Sequence, residues 1–214
     1  MEKLNIYEFI YYRFDDLIAA LIKHIEITGM AVTLAIVVGV PIGIMITRKR
    51  NIANLVINIA NVFQTLPSLA LFGLIIPFLG IGVLPAVFVL FLYALLPIIK
   101  NTYIGITNVD PAAIDAGIGM GLTSNQILTM IEIPLALPVI MGGIRVSTVI
   151  NIGTATIAAL IGAGGLGEFI FKGLSMNNNN MILMGALPSA LLAIVVDFIF
   201  GKIEKALIPR GIQN

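Results

Sequence analysis

Cysteine is absent from this 214-residue chain, and charged residues are scarce. Without cysteine the chain has no disulfide framework, no thiol nucleophile and no Cys-ligated metal site. Charged residues make up 11% of the sequence and hydrophobic residues 59%, whereas a soluble domain carries about 25% charged residues. So few polar side chains could not cover the surface of a water-soluble domain. The composition therefore argues against a soluble enzyme and against a nucleic-acid-binding domain.

Long uncharged runs separate the few charges. These runs hold 21, 49, 22 and 24 residues, at 27–47, 51–99, 146–167 and 173–196. A bilayer core about 30 Å thick requires roughly 20 helical residues, so the longest run suits two spans joined at Gly80-Ile81-Gly82. We predict an all-α integral membrane protein with five transmembrane helices, at about 27–47, 54–79, 83–103, 139–163 and 181–203.

The N-terminal segment has a different character from the spans. Residues 8–22 place apolar side chains on one helical face and interleave them with Arg13, Asp15 and Asp16. This pattern is typical of an amphipathic helix at the membrane surface. We therefore predict an interfacial segment over 1–26 and a transmembrane domain over 27–214. The features of a cleaved signal peptide are missing, so the first span is expected to serve as its own insertion signal.

The distribution of Lys and Arg predicts the orientation. Five spans place the two ends of the chain on opposite sides, and one side then holds eight of the 12 basic residues: Arg48, Lys49, Arg50, Lys100, Arg145, Lys202, Lys205 and Arg210. Basic loops stay in the cytoplasm. We expect a multi-pass protein of the plasma membrane, with its N-terminus outside and its C-terminus in the cytoplasm.

Motifs for catalysis are missing. The P-loop pattern GxxxxGK[ST] is absent, because the Gly201-Lys202 pair is followed by Ile203. A Gly-x-Gly-x-x-Gly match within 162–167 follows a predicted membrane helix rather than a strand, so it does not indicate a dinucleotide site. His24 is the only histidine, and we interpret it as a membrane-surface residue. We expect no catalytic residue, no bound cofactor and no metal site on this chain.

The mixed polar segment 104–133 is predicted to lie outside the membrane. Asp110 followed by Pro111 is a helix start, because the carboxylate can cap free N–H groups and proline fits the first turn. Gly119 and Gly121 are expected to end this short helix.

A second helix is predicted to follow in the same segment. Thr123 and Gln126 form a capping-box pattern, and we expect this helix to end before Pro134. Two short helices on the cytoplasmic side would make a rigid docking element for a partner, although an ordinary loop is the alternative.

The spacing of this segment resembles the EAA motif of ABC importer permeases. That motif reads Glu-Ala-Ala, three residues, Gly, nine residues, Ile-x-Leu-Pro, and the chain matches it at 115–117, 121 and 131–134. Asp replaces the Glu, Gly replaces the second Ala and Ile replaces the Leu. The resemblance implies contact with an ATPase subunit at Asp115, Ala116, Gly117, Gly121 and Pro134.

Other stretches resemble permeases of quaternary-ammonium osmoprotectant importers, which take up glycine betaine, carnitine or choline. These stretches are 65–73, 93–98, 153–167 and 209–211. The resemblance implies a methionine-importer-like permease fold, two permease subunits, two cytoplasmic ATPase subunits that hold ATP and Mg²⁺, and an external substrate-binding protein. The second permease would be another copy of this chain or a sister chain. Another small zwitterion or amino-acid derivative, such as ergothioneine or methionine, is an alternative solute. A channel or membrane scaffold without ATP coupling is the alternative from another class.

A polar, proline-broken patch interrupts the long uncharged run. It consists of Gln64, Thr65, Pro67 and Ser68. Proline leaves a backbone carbonyl without its helical hydrogen bond, and within a membrane such a group is tolerated only where it faces protein or a water-filled cavity. We therefore predict that this patch lies on the translocation path. A packed helix kink is the alternative. Further path candidates on the fourth span are Asn151, Thr154 and Thr156.

Two further features lie near the ends of the spans. Glycines after the fourth span are predicted to form part of an external gate, with a plain flexible turn as the alternative: Gly162, Gly164, Gly165 and Gly167. Arg145 and Asp197 are predicted either to form an ion pair or to extend separately to the cytoplasmic interface, because unpaired charges in the membrane are unfavourable.

Overall fold

The computed structural model of the protein describes residues 11–207, and every regular element in that range is helical. We number the helices α1 Phe14–Ile46, α2 Arg50–Thr65, α3 Ser68–Leu79, α4 Val83–Thr107, α5 Pro111–Gly119, α6 Ser124–Ala155, α7 Gly167–Ser175 and α8 Asn179–Ala206. A 3₁₀ turn, Ile157–Ile161, follows α6. The predicted all-α class is confirmed. Residues 8–10 of the predicted surface helix, the stretch 209–211 and the side chain of Arg50 lie outside the described residues.

Four of these helices, α1, α4, α6 and α8, are long and apolar enough to cross a membrane. The second predicted span is instead a pair of helices, α2 and α3, with an angle of 98° between them. The pair starts beside Arg48, which contacts Glu132 at the beginning of α6. It ends beside Gly82, whose N–H donates to the carbonyl of Ile161 beyond the other end of α6 at 2.7 Å. The pair therefore runs from one end of the helix bundle to the other, as a broken span does.

Helix α4 forms the centre of the bundle and packs against α1, α2, α3 and α6. Glycines permit two of the closest helix crossings. A Cβ atom at Gly43 of α1 would lie 2.6 Å from the Cβ of Thr102, and one at Gly143 of α6 would lie 2.8 Å from the carbonyl oxygen of Pro97. Small residues at helix crossings are typical of membrane bundles, where close backbone packing replaces the hydrophobic effect.

The structure joins the predicted surface helix and the first predicted span. From Phe14 onward, both belong to the continuous helix α1. The residues between them include neither glycine nor proline, and Lys23 and Glu26 form an ion pair of 2.9 Å one turn apart. Residue 26 is therefore not a helix boundary.

We call the segment 104–133 the candidate coupling segment, and the prediction that its second helix ends before Pro134 is wrong. The chain remains helical from Ser124 through a π-helical turn, Leu128–Glu132, into Ile133–Ala155. Proline has no N–H to donate, but it fits the first turn of a helix, where that N–H would be unused. The π turn resets the hydrogen-bond pattern just before Pro134, so the coupling segment and the fourth span form one helix.

Candidate coupling segment and translocation path

Helix α5 begins and ends where local chemistry predicts. The carboxylate of Asp110 accepts a hydrogen bond of 2.9 Å from the N–H of Ala112, and Pro111 occupies the first turn. The helix ends at Gly119, and Gly121 has a φ of +79°. This left-handed conformation is unfavourable for any residue with a Cβ, so glycine makes the sharp turn between α5 and α6.

The start of α6 is held by a complete capping box. The hydroxyl of Thr123 accepts from the N–H of Gln126 at 3.4 Å, and the side chain of Gln126 accepts from the N–H of Thr123 at 2.8 Å. Both free N–H groups are paired as the sequence pattern predicts. The two short helices are therefore well-defined elements rather than an irregular loop.

The EAA-like positions divide between an exposed face and a packed face. Asp115 and Ala116 are exposed, and Pro134 is half-buried. Gly117 is buried, and a Cβ at this position would lie 2.6 Å from the Cδ1 of Ile131 on α6. The glycine that replaces the second alanine of the motif thus lets α5 lie closely against α6, while its neighbours stay available to a partner.

The predicted polar patch lies at the bend between α2 and α3. Gln64 and Ser68 are half-buried, and Thr65 and Pro67 are exposed. The hydroxyl of Tyr93 on α4 donates a hydrogen bond to the carbonyl of Leu66, inside the break. An interrupted helix leaves backbone groups without their usual partners, and Tyr93 binds one of them.

The other three path candidates lie at the end of α6. Asn151 is fully buried, and its Nδ2 donates to the carbonyl of Ser147 at 3.0 Å. Thr154 and Thr156 are half-buried, and each donates to a carbonyl of the preceding turn. The structure therefore places Asn151 in the packing between helices. Leu66 and Ile157, which adjoin the two groups of candidates, pack against the same buried cluster.

The glycine loop after the 3₁₀ turn folds tightly against its neighbours. Gly162, Gly164 and Gly165 have φ values of +78°, +84° and +86°. A Cβ at Gly165 would lie 3.0 Å from the Nδ1 of His24, and one at Gly167 would overlap the backbone carbonyl of Thr156. Glycine is therefore required at these positions by backbone conformation at Gly162, Gly164 and Gly165 and by lack of space at Gly167.

His24 is buried inside the helix bundle. The side chain is 1% exposed, and its Nε2 lies 3.0 Å from the carbonyl oxygen of Ile152 on α6. A carbonyl can only accept, so Nε2 carries the hydrogen. The signal in the sequence was helical spacing, because His24 shares one face of α1 with Ile27, Ala31 and Ala35, which are all buried.

Arg145 of α6 and Asp197 of α8 lie together. The guanidinium donates from Nε to Oδ1 at 2.6 Å and from Nη2 to Oδ2 at 2.8 Å. It also donates to the carboxylate of Glu204 at 3.1 Å, a partner that sequence reasoning missed. Asp197 and Glu204 are two helical turns apart on α8, so their seven-residue spacing was the available signal.

A second missed contact joins the basic loop to the coupling segment. The Nη2 of Arg48 lies 2.7 Å from the Oε2 of Glu132 in the π turn. The two residues are 84 positions apart, so no local pattern relates them. The contact lies at the end of the bundle that also carries α5.

The chain is similar in sequence to permeases of binding-protein-dependent transport systems. The family model described as "Binding-protein-dependent transport system inner membrane component" matches residues 39–209. The chain is 51% identical over 192 residues to the carnitine transport permease protein OpuCB of Listeria monocytogenes, with 90% of this chain and 88% of that protein covered. It is 45% identical over 192 residues to the glycine betaine/carnitine/choline transport system permease protein OpuCB of Bacillus subtilis (strain 168), with the same coverage of 90% and 88%.

The fold is similar to that of a solved transporter chain. An inward-facing structure of the MetNI methionine ABC transporter matches with a TM-score of 0.81 and 22% identity, over 89% of this chain and 95% of that one. At this identity the likeness shows the fold alone, and it confirms the predicted methionine-importer-like permease fold. Sequence, fold and membrane-spanning helices agree: the chain belongs to the inner membrane component family of binding-protein-dependent transport systems.

Proposed function

We propose that this chain is the permease subunit of an ATP-driven importer for quaternary-ammonium osmoprotectants, namely glycine betaine, carnitine or choline. The observation that carries the proposal is the 51% identity, over 90% of the chain, to a carnitine transport permease. The polar break between α2 and α3 would form part of the translocation path. ATP and Mg²⁺ would bind to a partner ATPase, and this chain would carry no cofactor.

The α5–α6 segment would couple this chain to the ATPase. Asp115 and Ala116 are exposed next to large apolar side chains, of which Ile118 is 59% exposed and Met120 71%. Exposed apolar groups outside the spans favour a protein partner. Because α5 is capped and packs on α6 through Gly117, a movement of α5 would be passed directly along α6 into the membrane.

Two copies of the permease, or this chain with a sister chain, would enclose the path between two ATPase subunits. Helices α2 and α3 carry large apolar side chains on their exposed face: Leu55, Ile59, Val62, Leu69, Leu74 and Phe78. In a membrane such a face meets lipid or another apolar helix. The second permease subunit would cover part of it and complete the path beside Gln64, Thr65, Pro67 and Ser68, with Asn151, Thr154 and Thr156 behind them.

The two ends of the bundle would face different compartments. The α5 end carries Arg48 and Lys49, which favours the cytoplasm by the positive-inside rule. The opposite end carries the glycine loop, and we assign Gly162, Gly164, Gly165 and Gly167 to an external gate that faces the substrate-binding protein. The N-terminus would then be outside and the C-terminus inside, with the contact between Arg145, Asp197 and Glu204 fixing α8 to α6.

Uptake by the complete transporter tests the proposal. The chain, its ATPase and its binding protein would be produced together in bacteria without osmoprotectant uptake, and accumulation of radiolabelled glycine betaine, carnitine and choline would be measured. Uptake of at least one of the three that requires ATP supports the proposal. Uptake of methionine or ergothioneine instead of these three would establish the alternative solute class. If the chain purifies from its native membrane without any ATPase subunit, and if changing Gly121 leaves uptake intact, the importer proposal fails and the channel or scaffold alternative is favoured.

A further inference from the structure

Glu132 is a buried charged group within the coupling segment. Its side chain is 3% exposed, whereas that of its partner Arg48 is 57% exposed. A carboxylate is strongly destabilised by burial unless a cation or several donors compensate it. The guanidinium of Arg48, at 2.7 Å from the carboxylate, provides that compensation from the exposed loop after α1.

The ion pair connects the end of α1 to the π turn of α6 beside a gap in the packing. Arg48 lies two residues beyond the end of α1 at Ile46, and Glu132 ends the π turn of α6. A cavity of about 600 Å³ lies between the end of α1, helix α5 and the start of α6, and both charged residues line it. The remaining lining is mainly apolar and includes Ile114 and Ile118 of α5. The cavity leaves space for α5 to shift relative to α1, and the ion pair bridges this space.

Ile131 and Glu132 point to different sides of the helix. Successive residues of a helix are about 100° apart around its axis. Ile127 and Ile131, on the α5 side, would contact a Cβ at Gly117, while Glu132 reaches Arg48. One helical turn therefore contacts α5 with one face and the end of α1 with the other.

We propose that the Arg48–Glu132 ion pair makes the end of α1 move together with the coupling segment when the ATPases act. Arg48 and Glu132 are positioning residues in this scheme, since neither contacts the solute. The inference rests on the proposed function, because it needs an ATPase that moves α5. It adds a second route into the membrane, through α1, to the direct route along α6.

The sharpest test is Glu132→Gln in the complete transporter, reconstituted in liposomes with its ATPase and binding protein. Glutamine keeps the shape of the side chain and removes its negative charge. The subunit should fold, because Arg48 is mostly solvated and no unpaired charge remains buried. We expect solute uptake per ATP hydrolysed to fall about 5-fold or more, with the ATPase rate largely retained. Lys49→Gln is the matched control, because Lys49 is the exposed neighbouring cation, and its ratio should be unchanged.

Charge restoration provides a second readout. Since the chain has no cysteine, Arg48→Cys introduces one thiol, which a methanethiosulfonate reagent can convert into a side chain ending in an ammonium group. The cationic reagent should restore the uptake-to-ATP ratio, and a neutral methanethiosulfonate should not. The wild-type complex treated in the same way controls for thiols on the other subunits.

The outcomes separate the two levels of the proposal. Equal losses of uptake and ATPase rate in Glu132→Gln would mean that the pair only stabilises the fold. A ratio of uptake to ATP hydrolysis that is unchanged in both Glu132→Gln and untreated Arg48→Cys would overturn the inference. Absence of ATP-dependent uptake in the wild-type complex would instead overturn the proposed function.

Discussion

Replacing Tyr93 by phenylalanine removes one hydroxyl group from the helix break. That hydroxyl donates to the carbonyl of Leu66, between α2 and α3. Tyr93 is 6% exposed and belongs to a buried cluster with Phe72 and Leu90. Phenylalanine keeps the ring and its packing, so the variant isolates the effect of one hydrogen bond on the predicted path.

The magnitude follows from the loss of a partner by a partly buried carbonyl. Leaving such a group without its donor costs about 1–3 kcal/mol, which corresponds to roughly a 5–150-fold change in an opening equilibrium. In the closed state the variant lacks this hydrogen bond, whereas in the open state water hydrates the carbonyl in both proteins. The break therefore opens more often in the variant. We expect the measured change in labelling rate at position 68 to lie near the lower end of this range. Ser68 is half-buried rather than fully protected, so a thiol there also reacts in the closed state.

Thiol labelling measures this opening directly. Ser68→Cys is nearly isosteric and introduces a single thiol into a chain without cysteine. The rate of its reaction with a maleimide would be compared with and without Tyr93→Phe in the purified permease. Tyr103→Phe is the matched control, because Tyr103 lies on the same helix, is half-buried, and packs in a different cluster with Ile46 and Ile99.

We expect labelling about 5-fold faster or more in Tyr93→Phe, and no change in Tyr103→Phe. Equal rates in all three proteins would refute the idea that Tyr93 holds the break closed. Faster labelling in both tyrosine variants would show general loosening of α4 rather than a specific effect at the break.

Three further predictions concern glycines and the buried histidine. Gly121→Ala should lower solute uptake, because a Cβ at φ +79° costs about 1–2 kcal/mol in the turn between α5 and α6. Gly119→Ala is the control and should leave uptake unchanged, because position 119 has open space for a Cβ and ordinary backbone angles. Gly167→Ala should greatly reduce the amount of folded permease measured by size-exclusion chromatography, because its Cβ would overlap a backbone carbonyl, and a normal yield would contradict the tight loop. His24→Phe should destabilise the permease by about 1–3 kcal/mol in thermal unfolding, since the carbonyl of Ile152 loses its donor, and an unchanged melting temperature would contradict the buried contact.

Local patterns predicted much of the coupling segment. Asp110 with Pro111, and Thr123 with Gln126, start helices because each satisfies N–H groups within a few residues of itself. The left-handed turn at Gly121 is also a local property. In contrast, the continuation of α6 through Pro134 was missed, because the helix passes this proline by way of a π turn, Leu128–Glu132, that the capping and proline patterns do not indicate.

Side chains whose roles depend on distant partners were predicted less well. The positions of Arg145 and Asp197 near the ends of two spans suggested a pair as one of two possibilities, and the structure shows the pair and adds Glu204 to it. Asn151 is polar and lies in a predicted span, which suggested a place on the path, yet it is fully buried between helices. The polarity of a side chain on a helix does not show whether that side chain faces water or packs against a neighbouring helix.

The sequence by itself determined the membrane location, the approximate spans and the capped helices of the coupling segment. These follow from hydrophobic length and from hydrogen bonds that close within a few residues. Only the tertiary structure decided that His24 contacts Ile152, that Tyr93 reaches the helix break, and that Arg48 pairs with Glu132. Partners 27 to 128 positions apart meet because the helices pack in one particular arrangement, and that arrangement depends on the whole set of helix crossings rather than on any single segment.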